Sequence, residues 1–332
     1  FAAPLGSIYT IAINFFEILA VGVIIACLVF LVRRNILKID RFTKPELKGW
    51  PFKDANIILF IEIILMGALL KLNAVEANIE GALEKPFLVS QFIAPFFASF
   101  SQDTLHVLER IFWWFHILGI FAFLNYLPFS KHFHIMLAFP NTYFSNLNAK
   151  GKFTNMASVT NEVKIMMDPS YTPATDIPPG RFGAKDVTDL TWKQLLDAYT
   201  CTECGRCTAE CPANQTGKKL SPRKIMMDTR DRLEEVGRNI DVNKEFKDDG
   251  KSLLGSYITE EEILACTTCN ACVQACPVNI DPLSIIIDLR RYLIMEESKA
   301  PAEWAGMLTN IENNGAPWQF SPSDRFNWAN EN

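Results

Sequence analysis

Eight of the nine cysteines fall into two runs of one spacing. The first reads Cys201-Thr-Glu-Cys204-Gly-Arg-Cys207-Thr-Ala-Glu-Cys211-Pro212. The second reads Cys266-Thr-Thr-Cys269-Asn-Ala-Cys272-Val-Gln-Ala-Cys276-Pro277. Both are C-x2-C-x2-C-x3-C-P, a spacing by which a chain wraps a pair of [4Fe-4S] clusters. Three thiolates at two-residue spacing surround one cubane without a long loop. The fourth cysteine, followed by proline, points away and ligates the other cluster. This expectation gives Cys201, Cys204, Cys207 and Cys276 to one cluster, and Cys266, Cys269, Cys272 and Cys211 to the other. Zinc commonly takes two C-x2-C pairs, and disulfides would spread cysteines through a loop-rich chain. Neither explains a triple C-x2-C-x2-C with a fourth cysteine before proline, occurring twice. Cys27 stands alone in an apolar run and reads as a small buried apolar residue.

The elements that must carry these thiols read as helices. Thr191 to Tyr199 opens a helical pattern that delivers Cys201. Ser221-Pro222 is an N-cap with proline at the first helical position, predicting a helix to about Gly237. Thr259 to Glu262 starts another as a capping box. Asp281-Pro282 starts a third that runs through Leu293. No strand pattern is visible, so this half is expected to be a helical domain threaded around the cysteines.

The first third is different in kind. Hydrophobic residues are 49% of the 332 and the mean hydropathy is +0.10, an average over an apolar front and a soluble-looking back. Three runs, Ile8–Val32, Ala55–Leu72 and Leu105–Leu127, are read as membrane crossings. The first is too long for a signal peptide and lacks a cleavage site. The chain begins at Phe1 rather than Met, so residues are expected to precede it. Phe87–Phe100, with Pro86 and Pro95, is too short to span and reads as a loop or re-entrant segment. Phe133–Phe144, interrupted by Pro140, reads as interfacial.

The charges orient these crossings. The first loop carries Arg33, Arg34, Lys38, Arg41, Lys44, Lys48 and Lys53. The second carries only Lys85, against Glu76, Glu80 and Glu84. The positive-inside rule puts the first loop inside. The N-terminus is then outside a bacterial inner membrane, and everything after Ser130 is cytoplasmic, as Lys131, Lys150 and Lys152 agree. The expected organisation is all-α. A transmembrane anchor occupies 1–145 and a Pro/Gly-containing linker 146–190. A cytoplasmic dicluster domain follows over 191–298, and a docking tail over 299–332. Pro169, Pro173, Pro178, Pro179, Gly180 and Gly183 argue against a long regular element in the linker. The net charge of −5 and the lack of a basic aromatic patch argue against nucleic acid.

The 54 residues between Cys211 and Cys266 exceed what a minimal ferredoxin uses. They resemble the α-helical ferredoxin domain of succinate dehydrogenase and heterodisulfide reductase subunits. The stretches 201–235 (CTECGRCTAECPANQTGKKLSPRKIMMDTRDRLEE) and 311–318 (IENNGAPW) resemble membrane-bound iron–sulfur oxidoreductases of the heterodisulfide reductase group, electron-transfer-flavoprotein:quinone oxidoreductases among them. Residues 113–144 are similar to the cytochrome b subunit of respiratory nitrate reductase. The family's C-terminal module with CCG motifs does not follow here. It is expected on a partner subunit or beyond Asn332.

The resemblance also implies haem b, and here the residues diverge from it. All four histidines, His106, His116, His132 and His134, lie within 29 positions, and none precedes His106. The family pairs such histidines with one from an earlier helix, where this chain offers Glu62. Two histidines on one straight helix cannot sandwich a haem. An in-chain haem needs a bend at Pro128, another ligand or a partner chain. Otherwise His132 and His134 are interfacial or quinone-contacting, and His106 mirrors them at the other face. Glu17 and Glu62 are costly in hydrocarbon, so each either delivers protons to a quinone or pairs with a polar group on another element. Trp113 and Trp114 read as membrane packing.

The expected function is electron transfer between a cytoplasmic flavoprotein or dehydrogenase and membrane quinone, in either direction. The alternative is a docking and relay module whose quinone and catalytic sites lie on other subunits. No G-x-G-x-x-G occurs, and Gly180-Arg-Phe-Gly183 does not fit one.

Overall fold

A computed structural model describes residues 2–79, 87–149, 151–173 and 180–330. Glu80, Glu84, Lys85, Pro86, Lys150, Pro178, Pro179 and Asn332, used above, lie outside the described residues, as does Phe1. The chain is all-α, and among the described residues one isolated bridge, Leu254 to Ile258, is the only β-type pairing. It divides into two compact units, Phe1–Tyr143 with Tyr199–Gly205, and Phe144–Ala198 with Arg206–Asn332.

The first unit is built on three long apolar helices. They are α1 (Ala2–Leu31), α3 (Trp50–Glu76) and α4 (Gln102–Tyr126), with the four-residue α2 (Asp40–Thr43) in the first loop. Counted with their flanking turns, the candidate spans are Ser7–Ile36, Trp50–Glu76 and Gln102–Phe129. Each exceeds the roughly 20 residues a bilayer requires. Helix α3 is the middle element, packed on both α1 and α4. Its close approach to α4 uses Gly119, where a Cβ would fall 2.5 Å from Leu65 Cδ2. The outward faces carry Ile, Leu and Phe side chains left exposed to the surroundings.

The segment read as re-entrant holds two short 3-10 turns, Ser90–Phe92 and Ala94–Phe97. Helix α4 ends at Tyr126. Two 3-10 turns, one containing Pro128, then separate it from α5 (His134–Tyr143). His116 and His134 therefore lie on different helices, with the chain turning at Pro128 between them.

In the second unit, α6 (Ala157–Met167) lies inside the stretch read as an irregular linker. Its eleven residues contain neither Pro nor Gly, and the prolines that argued against helix all follow it. Then come α7 (Trp192–Thr200), α8 (Arg206–Ala209), α9 (Pro212–Gln215) and α10 (Pro222–Asn243). Helices α11 (Glu260–Leu264), α12 (Ala271–Ala275) and α13 (Pro282–Arg291) follow, and then α14 (Ala302–Asn314) and α15 (Asn327–Asn330).

Ser221 caps α10 by accepting from Lys224 N, and the Thr259/Glu262 capping box forms on α11. Helix α10 runs six residues past Gly237, because one glycine only weakens a helix whose amphipathic pattern continues. It stops at Lys244, which turns left-handed at φ 70°. The core joins Ile225, Met226 and Val236 of α10 to Ile285, Ile286 and Leu289 of α13. Gly183 lies directly on α13: with φ at 73°, a Cβ there would be 2.2 Å from the Asp288 carbonyl.

Candidate metal centre

The two cysteine runs share one backbone path. Glu203 and Gly205 have positive φ in the first, and Thr268 and Asn270 occupy the same places in the second. Alternating left-handed residues curl each loop around its cysteines. A short helix follows in each, α8 carrying Cys207 and α12 carrying Cys272, and these two helices pack together. The fourth cysteine then leaves in extended conformation, Cys211 at ψ 117° and Cys276 at ψ 121°, each before its proline. Two sulfurs already accept backbone N–H groups at 3.4 Å: Cys266 from Thr268 and Cys276 from Ile280.

Cys211 of the first run lines the same pocket as Cys266, Cys269 and Cys272 of the second. The pocket is tight, about 10 Å3, and is otherwise walled mainly by Leu220, Pro222, Leu283 and Ile286. Among the described residues no three His, Cys, Asp or Glu side chains converge as a ready site for a single ion. Four cysteines lining one pocket, three of them at two-residue spacing and the fourth before a proline, are the donor set of a cluster rather than of one zinc. Burial in this apolar setting pushes Cys272 up to about 12, aided by Cys266, Asp281 and Cys211, and raises Cys266 as well. Buried thiolates are tolerable here only beside compensating positive charge, which an iron–sulfur core supplies. The donor set, its shape and its surroundings therefore fit a [4Fe-4S] cluster. Arg290 steadies the second run by donating to the carbonyls of Ile263 (2.5 Å) and Cys266 (2.8 Å).

Of the other four cysteines, Cys201 is buried, and Cys204, Cys207 and Cys276 are half-buried. Cys201 and Cys204 belong to the Tyr199–Gly205 loop, which groups with the first unit. Between them, Glu203 forms a buried ion pair with Lys131, Nζ to Oε2 2.5 Å. Lys131 Nζ also donates to Pro51 O (2.6 Å), and its backbone N–H donates to Asp54 (3.1 Å). Asp54 in turn accepts from the Tyr126 hydroxyl and from Ser130. One lysine thus ties the first cysteine loop to the start of α3 and the end of α4. Neither Lys131, Glu203 nor Asp54 was singled out from sequence as a site residue; the adjacency of Glu203 to two cysteines was the available signal.

The membrane-side residues separate into groups. Glu17 is fully buried and meets only donors: Asn73 Nδ2 (3.0 Å), the backbone N–H of Val89 (2.8 Å) and Ser90 (3.4 Å), and the Ser90 hydroxyl. These contacts pin the 87–100 segment to α1 and favour the pairing role over proton delivery. Glu62 instead faces His132, Oε1 to Nε2 4.0 Å, with both half-buried. His132 and His134 stand edge to face at 5.6 Å, and Phe123 lies 5.6 Å from His132. Burial first, then His134, lowers the His132 pKa, so its ring is neutral at pH 7. His116 Nδ1 lies 3.0 Å from the Leu65 carbonyl, and His106 is exposed on α4.

Comparison with known proteins decides what kind of chain this is. Residues 200–280 match the 4Fe-4S dicluster domain. The chain is 32% identical, over 98% of its length, to the probable iron-sulfur-binding oxidoreductase FadF of Bacillus subtilis, covering 47% of that protein. It is 30% identical, over 87% of its length, to the EtfAB:quinone oxidoreductase of Syntrophomonas wolfei, covering 42% of it. The homologues are iron–sulfur oxidoreductases. A probable membrane-anchored ferredoxin of Chromohalobacter salexigens is 34% identical over 44% of this chain and 24% of its own length. The chain spans about half the length or less of these relatives. No solved structure matches. The membrane-anchored homologue and the three apolar helices together make this a membrane-associated iron–sulfur protein.

Proposed function

We propose that this chain relays electrons through two [4Fe-4S] clusters between a donor protein and membrane quinone. Cys266, Cys269, Cys272 and Cys211 hold one cluster. Cys201, Cys204, Cys207 and Cys276 hold the other by the repeat of the same spacing. The observation that carries the quinone half is the Lys131–Glu203 pair, which fixes the Cys201–Cys204 loop within the unit that also holds Glu62 and His132.

Reducing a quinone consumes two electrons and two protons. Bound clusters supply the electrons one at a time. The protons need groups that can give and regain them: Glu62 can carry one, and the His132 imidazole can accept a proton and pass it on as the imidazolium. His132 offers an N–H to a quinone carbonyl, and Phe123 offers a flat apolar wall. On this reading the membrane is the bacterial inner membrane, with the N-terminus outside and the cysteine domain in the cytoplasm. A flavoprotein or dehydrogenase is the donor, and a CCG-type iron–sulfur module, carried by a partner subunit or by a further segment, completes the path. The relative named EtfAB:quinone oxidoreductase supports both ends of that assignment.

The test is reoxidation of dithionite-reduced clusters by a short-chain quinone in nanodiscs. Rapid reoxidation in the wild type, slowed at least tenfold in His132→Gln with cluster content unchanged, supports the reading. Equal rates in both would remove His132 from the site. No quinone reaction at all, with dye-mediated cluster reduction intact, would leave a relay whose quinone site lies on another subunit. A b-type haem spectrum in the purified chain would return His106, His116, His132 and His134 to the role of haem ligands.

A further inference from the structure

The loop between α1 and α3 closes around a second pocket, of about 340 Å3, remote in sequence from every cysteine motif. Its rim carries five cations: Arg34, Lys38, Lys44, Lys48 and Lys53. Its wall is apolar, from Phe42, Leu47 and Phe52. No carboxylate lines it. Of the acids nearby, Asp40 and Glu46 lie in the same loop off the lining, and Asp54 is engaged by Tyr126 and Lys131.

The pocket is held in shape. The Arg34 guanidinium lies over two rings, 5.4 Å from Phe42 and 5.1 Å from Phe52. It also reaches the Pro51 carbonyl at 3.5 Å. Gly49, at φ 88°, makes the turn between Lys48 and α3 that no side-chain-bearing residue adopts readily. Five cations converge on one concavity whose lining holds no carboxylate, a setting that attracts an anion. An apolar wall beside them, at the mouth of two membrane helices, suits a ligand that is anionic at one end and greasy at the other. The volume lies within the roughly 300–1,000 Å3 of small-molecule sites.

We infer that this pocket binds the phosphodiester head group of an anionic phospholipid, with its acyl chains lying along α1 and α3. Lysines that merely reach toward a charged membrane surface would act interchangeably. A built site would not. Arg33 is in the same loop but does not line the pocket, so it is the control for Lys48.

The full chain is reconstituted in nanodiscs of equal phosphatidylglycerol and phosphatidylcholine, then extracted and weighed by native mass spectrometry. The wild type is expected to keep one phosphatidylglycerol per chain. Lys48→Gln should weaken retention about fivefold, the effect of one surface cation. Arg33→Gln should stay within about twofold of wild type on the same scale. Equal losses in both variants would overturn the site in favour of general surface attraction, as would retention of phosphatidylcholine alongside. Equal thermal protection of delipidated protein by inorganic phosphate and by phosphatidylglycerol would reassign the pocket to free anions and overturn the lipid assignment.

Discussion

At the scale of single residues, His132 carries a pH signature outside the spans. Its folded-state pKa is lowered by burial and by His134, relative to about 6.5 for the unfolded chain. The unfolded chain therefore takes up the proton first as pH falls. The stability owed to a neutral His132 is present above about pH 6.5 and is lost as pH falls through that value and the lower folded pKa. The thermal midpoint of the protein in nanodiscs should drop between pH 7.5 and pH 5.5. His132→Gln should flatten that slope. A slope unchanged in the variant would place the titrating group elsewhere. The histidine cluster itself was legible in the sequence as four residues of one type within 29 positions. Their roles were not, because a 4.0 Å approach of Glu62 to His132 depends on the two 3-10 turns after Tyr126. Glu17 makes the same point in reverse. A carboxyl in an apolar run suggested proton traffic, and only the folded chain brings Asn73, Val89 and Ser90 to it.

At the scale of elements, α10 shows what sequence punctuation fixes and what it leaves open. Its start was readable from Ser221-Pro222, because cap and proline act locally. Its end was not, because a single glycine only weakens a helix whose amphipathic pattern continues, and α10 runs through Gly237 to Asn243. The Arg232 side chain is fully buried and bonds Asp186 (2.7 Å), Asp249 (2.6 Å) and the Lys251 carbonyl (3.0 Å). Asp186 also accepts from Leu253 N, so one guanidinium binds three separate segments of the second unit. Nothing in the spacing of Asp186, Arg232 and Asp249 announces that triad. Removing a partner from a buried ionic group costs about 3–5 kcal/mol, because the opposite charges are left unpaired. Arg232→Ala should therefore lower the unfolding midpoint of this unit by about 6–20 °C, at roughly 2–4 °C per kcal/mol for its size. Arg238→Ala removes an exposed pair with Glu234 at 3.0 Å. It should cost no more than about 0.5 kcal/mol. A similar loss in both variants would show that the Asp186–Arg232–Asp249 network contributes little.

At the scale of the whole molecule, the question is how the two cysteine runs share their clusters. Their spacing made the cofactor readable, because the cubane dictates how far apart its ligands stand along the chain. The crossing was an expectation of that spacing, and the pocket joining Cys211 to Cys266, Cys269 and Cys272 agrees with it geometrically. A double variant separates the two arrangements. If each run ligated its own cluster, Cys207→Ala with Cys211→Ala would damage only one site. Full-chain protein would then keep one native [4Fe-4S] EPR signal and about four irons. With crossed ligation, Cys207 and Cys211 serve different clusters. The same pair of changes then strips one ligand from each, and no native signal survives. Cys207→Ala and Cys211→Ala made singly should each spare a different signal, and their spectra should sum to that of the wild type. Crossed ligation also makes the cofactors part of the fold, since each cluster joins chain segments some 60 residues apart. With crossed ligation the double variant should for that reason lose at least the sum of the two single losses in thermal stability, whereas with each run holding its own cluster the second change falls on a site already damaged and adds little.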